Sequence, residues 1–74
     1  MNANRRKEIA KALEHLGEAV SILETVKDDE DDAYNNLPEG IQNSERGEKM
    51  AEAVDVLGEA LDYFEDYAGQ LSEL

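Results

Sequence analysis

Apolar side chains recur along this chain at alternating steps of four and three residues in two long stretches. Ile9, Leu13, Leu16, Val20 and Leu23 form the first row, and Met50, Val54, Leu57, Leu61, Phe64, Ala68 and Leu71 the second. That spacing lays each row along one face of a helix. Ala, Leu, Glu and Lys fill most of the intervening positions, so intrinsic propensity agrees with the pattern. The reading is a helix over 4–35, a connector over 36–44 and a helix over 45–72, in one all-α domain spanning 1–74.

The two rows are also copies of each other. Leu16-Gly17-Glu18-Ala19-Val20 returns as Leu57-Gly58-Glu59-Ala60-Leu61, and Ala12, Leu13, Leu23 and Glu24 return as Ala53, Val54, Phe64 and Glu65. Two unrelated amphipathic helices would share the apolar positions but hardly the paired glycines, which favours an internal repeat. Gly17 and Gly58 sit at one edge of the apolar arc. Each reads equally as a point of close helix approach or as a tolerated surface glycine.

Between the helices, Asp28-Asp29-Glu30-Asp31-Asp32 reads as the solvated end of the first helix, with Tyr34 as its last apolar contact. Asn36-Leu37-Pro38-Glu39 has the form of a capping box, with Pro38 in the first turn of a short helix and Gly40 ending it. Asn43 or Ser44 then caps the second long helix. Leu37 and Ile41 are expected to plug the end of the core. A connection this short predicts an antiparallel hairpin. Arg5, Arg6, Lys7 and Lys11 would then lie beside Glu65, Asp66 and Glu73, making exposed pairs worth at most about 1 kcal/mol each.

A second apolar stripe runs beside the first: Ala12, His15, Ala19, Ile22 and Val26 on one helix, and Ala53, Val56, Ala60, Tyr63 and Tyr67 on the other. One partner helix covers only a narrow seam, so a lone hairpin leaves this stripe wet. The expectation is a homodimer forming a four-helix bundle, with His15, Ile22, Val56, Tyr63 and Tyr67 on the self-association or docking face.

Charge narrows the partners. Nineteen Asp or Glu against seven Lys or Arg give a net charge of -12 in 74 residues. Direct binding to nucleic acid or an anionic membrane is disfavoured, because both are polyanions. With no cysteine, the chain has no disulfide framework and no thiol nucleophile. His15 is the single histidine, too little for a zinc cluster and better read as a packed or interface residue. An EF-hand register started at Asp28 puts Ala33 where the loop needs glycine, so no specific calcium site is expected. No serine has a positioned base, and no glycine-rich phosphate loop follows a strand. No catalytic residue, cofactor or metal ligand is therefore assigned.

One charged pattern stands out. Glu48, Glu52, Asp55, Glu59, Asp62 and Asp66 step by four and three along the second helix, and no basic residue follows Lys49. Successive carboxylates rise about 5 Å, of the same order as the phosphates along a nucleic-acid strand. The row reads either as a solubilising face or as a DNA-mimic surface for a basic protein partner.

The segment Asn36-Leu37-Pro38-Glu39-Gly40-Ile41-Gln42, followed by Ser44-Glu45-Arg46-Gly47-Glu48-Lys49-Met50, resembles a family of short acidic bacterial and phage helical-hairpin proteins. The resemblance implies the hairpin, a mobile-element origin and residence in the cytoplasm of a bacterial host, and it carries no activity with it. The functional expectation is a non-enzymatic protein-binding module. In its sharper form it inhibits a host nucleic-acid-binding or defence protein through the acidic face. The alternative is a structural scaffold that docks through its apolar face.

Overall fold

Helix formation starts at Asn2, whose extended backbone lets its side-chain Oδ1 accept from the Arg5 N–H at 2.9 Å and satisfy one of the free donors of the first turn. A computed structural model describes residues 1–74 and shows an all-helical, elongated molecule of 57 × 15 × 13 Å. Helix α1 spans Ala3–Asn35, the one-turn helix α2 spans Glu39–Gln42, and α3 spans Glu45–Ser72. At 1.5 Å per residue the 33 residues of α1 extend about 50 Å, which accounts for most of the long dimension.

Helices α1 and α3 pack along their lengths in opposite directions. Arg6, Ile9 and Leu13 near the start of α1 adjoin Leu71 and Leu74 at the other end of the chain. At the opposite end, Glu30 adjoins Glu45 and Met50. The seam is built from the residues the periodicity selects. Leu61 is buried, while Ile9, Leu13, Leu16, Val20, Leu23, Met50, Val54, Leu57, Phe64 and Ala68 are half-buried. Leu71 continues the seam beside Ile9 and Leu13 but is 37% exposed at the open end. The same step continues past Leu23 through Lys27, Glu30, Tyr34 and Leu37, all half-buried, so the seam crosses the acidic run. The stem of Lys27 lies over Gly58, with Cε 3.5 Å from where a Cβ would stand.

The connector departs from its sequence reading. Asn36 does not open a capping box. Because α1 stays helical to Asn35, Asn36 has φ -89° and ψ -3° rather than the extended backbone an N-cap needs, and its N–H bonds back to the Asp32 carbonyl. Pro38 is the residue before α2 and supplies no side-chain cap. Gly40 does not end that turn but lies inside it, and the turn closes at Asn43. Leu37 is half-buried as a plug would be, whereas Ile41 is exposed.

Gln42 ties the connector to the end of α1. Its Nε2 donates to the carbonyls of Tyr34, in the last turn of α1, and of Leu37, in the connector, each at 3.2 Å. Ser44 caps α3, accepting from the Gly47 N–H at 3.4 Å while its hydroxyl donates to the Ile41 carbonyl.

Gly47, in the first turn of α3, is the second buried residue of the chain. A Cβ there would overlap the Gln42 carbonyl oxygen and stand 2.6 Å from the Ile41 oxygen. Glycine is required here by close backbone approach, not by its dihedral angles, since no glycine in the chain has a positive φ. The paired Gly17 and Gly58 differ from it: nothing lies within 4 Å of a Cβ on Gly17, and Gly58 meets only the flexible end of Lys27.

These environments predict opposite signs for one chemical change. Gly47→Ala should destabilise by about 1–3 kcal/mol through overpacking. Gly17→Ala should stabilise by about 0.5–1 kcal/mol through helix propensity. Urea unfolding followed by circular dichroism measures both, and equal stabilities for the two variants would contradict the close approach at Gly47.

Candidate functional site

With one seam between two helices, every other surface is open, and the candidate residues separate onto the flanks of that seam. On one side, Val26 of α1 and Ala53, Val56 and Leu57 of α3 line a single shallow depression with Glu30, Lys49 and Glu52 at its margin. Helical spacing carries this stripe along α1 to Ile22, Ala19 and His15 and along α3 to Ala60, Tyr63 and Tyr67. His15 and Ala19 are exposed, and Ile22 and Val56 are 64% and 57% exposed. Tyr63 and Tyr67 are 64% and 57% exposed. The structure thus brings Val26 and Val56 together on one side of the molecule and leaves the stripe uncovered except at Ala53 and Ala60, which are half-buried.

The other side of the seam is acidic. Glu24, Lys27 and Asp28 of α1 face Gly58, Asp62 and Glu65 of α3 across a polar groove. The sequence reading gave the second helix a carboxylate row but did not join the first helix to it. The signal was present in the repeat, which pairs Glu24 with Glu65 at the same helical position.

All six members of the row, Glu48, Glu52, Asp55, Glu59, Asp62 and Asp66, are exposed. None is in an ion pair. The two that exist, Lys11–Glu8 at 3.1 Å and Lys49–Glu45 at 3.3 Å, lie each within one helix and are open to water. Asp66 accepts from the Gln70 side chain at 3.1 Å. Row and apolar stripe share an edge on α3. Glu52 borders Val56, and Tyr63 lies in one surface hollow with Glu59, Asp62 and Asp66.

The pairs expected where the chain ends meet are not formed. Arg6 Nε donates instead to the Leu74 oxygen at 3.2 Å, and Lys11 turns to Glu8 on its own helix. Long exposed side chains gain little by reaching across to the other helix, so the near neighbour wins.

No group of three or more His, Asp or Glu side chains converges as a metal centre would require. No helix is long and apolar enough to cross a membrane. The arrangement offers two surfaces for binding other molecules, one apolar and one anionic. No known family model matches the chain, and no curated protein or solved structure is similar to it.

The unpaired carboxylates make stability salt-dependent. Raising ionic strength from about 0.01 M to about 1 M shortens the screening length from about 30 Å to about 3 Å. A chain of net charge -12 with two exposed ion pairs loses more repulsion than attraction under that change. The thermal midpoint should therefore rise with NaCl, by roughly 4–8 °C for each kcal/mol recovered. A midpoint that falls with salt would mean that attractive pairs outweigh the repulsion.

Proposed function

We propose that this chain is a non-enzymatic protein-binding module, an antiparallel helical hairpin that acts by occupying another protein. The observation that carries this reading is the uncovered apolar stripe. Ile22, Val56, Tyr63 and Tyr67 are each more than half exposed on a molecule whose seam buries a single apolar side chain, Leu61. Contiguous apolar surface of this kind marks a binding site, and aromatic residues carry a disproportionate share of interface energy. Covered by a second copy, the stripe would become the core of a four-helix bundle. Covered by a different protein, it would make the chain an assembly or scaffold element, which is the alternative reading.

The acidic side gives the module a sharper form. A row of six exposed, unpaired carboxylates suits the basic groove of a nucleic-acid-binding or defence protein, as a phage-type inhibitor would use it. The bland counterpart is a solubilising face, which needs no partner.

Binding experiments separate the two surfaces. Partners captured from a bacterial lysate through the acidic row should be released by salt and by duplex DNA. They should be lost on charge reversal of Glu52, Asp55, Glu59 and Asp62 to Lys, with helicity retained. Partners held by the apolar stripe should survive salt and lose about 2 kcal/mol, roughly thirtyfold in affinity, on Tyr63→Ala or Tyr67→Ala. Capture indifferent to both sets of changes would contradict the module as described.

A further inference from the structure

The geometry points to a definite occupant for the apolar stripe. We propose that it is covered by a second copy of this chain turned end for end, so that the connector of each copy lies at the open end of the other. This rests on the binding-module reading of the stripe and goes beyond it by naming the partner and its orientation.

Area is the first argument. A compact monomer of 8.2 kDa exposes about 4,500 Å². This chain exposes 5661 Å², about 1,100 Å² more than that compact reference. A stable interface of ordinary size takes about 800 Å² from each partner. The excess is therefore enough for one interface of standard size. The radius of gyration says the same, at 17.0 Å against about 11 Å for a compact chain of this length.

Charge selects the direction of the second copy. At the open end Arg5, Arg6, Lys7 and Lys11 are balanced by Glu8, Glu65, Asp66 and Glu73, so that end is close to neutral. The connector end carries the acidic run Asp28 to Asp32, free of ion pairs. Each copy is thus unevenly charged along its length, and its own reverse sets the acidic connector end against the near-neutral open end. Closed two-fold symmetry applies that reversal when the axis crosses the long dimension. Two copies placed with connectors side by side would instead bring their acidic runs together, a like-charge juxtaposition that specific interfaces avoid.

The test uses the intact chain at tens of micromolar. Light scattering should give twice the 8.2 kDa chain mass at low and at high salt. The chain has no native cysteine, so Asn35→Cys gives one spin label at the connector end. Labels in the two copies should be about 50 Å apart along the bundle if the copies are reversed, against roughly 20 Å if the connectors coincide. Val56→Glu, on the stripe, should weaken the dimer at least about tenfold, and Glu24→Gln, in the groove on the opposite flank, should not. A monomeric mass overturns the proposal while leaving the stripe free for another protein, so the module reading survives it. A dimer with short label distances overturns the orientation, and a dimer insensitive to Val56→Glu overturns the face.

Discussion

The approach of Gly47 to the backbone of Ile41 and Gln42 is the constraint on which the remaining geometry depends. A side chain at this position would occupy the space of the Gln42 carbonyl, so α3 can leave the connector in this direction only from a glycine. Around that contact, polar groups at three helix termini are satisfied locally. Gln42 serves the Tyr34 carbonyl at the end of α1 and the Leu37 carbonyl beyond it, Ser44 serves the Gly47 amide in the first turn of α3, and the Pro38 carbonyl accepts from Ile41 and Gln42. Buried or half-buried backbone groups must find partners. Here a nine-residue segment between two long helices supplies them without drawing on either helix.

Once α3 is turned back along α1, the arithmetic of two helices sets the rest. A helix pair has one mutual seam, and each helix carries an apolar arc wider than that seam. The surplus falls on one flank of both helices because the arc extends the same way from the seam in each copy of the repeat. Antiparallel packing then brings the two surplus stripes to the same side, as the meeting of Val26 with Val56 shows. Glu24 and Asp28 of α1 meet Asp62 and Glu65 of α3 on the other flank for the same reason. The two-sided molecule thus follows from a repeated sequence folded back on itself.

Two-sidedness connects the fold to its proposed use. An apolar flank favours association that salt does not disturb, and an anionic flank favours association that salt weakens. Their shared edge at Glu52 and Tyr63 means that a partner on one surface touches the margin of the other. Self-association through the apolar stripe would leave the carboxylate row facing outward on both copies, doubling the charged surface offered to a basic protein.

The sequence by itself determined the helices, their apolar seam and the existence of a surplus stripe, because a periodicity of 3.6 residues is local and repeats over many turns. Ser44 as a cap was legible for the same reason, one hydroxyl ahead of one helix start. The tertiary structure alone decided the connector. Asn36 and Glu39 have the spacing of a capping box, yet α1 runs on to Asn35 and takes the backbone that the box required. The roles of Gln42 and Gly47 depend on carbonyls eight and five residues away being turned towards them, a matter of chain direction that composition does not record. Likewise the joining of Glu24 and Asp28 with Asp62 and Glu65 arises only when two distant segments are laid side by side. Pattern along one helix is a property of neighbours in sequence; a surface made by two helices is a property of how they are brought together.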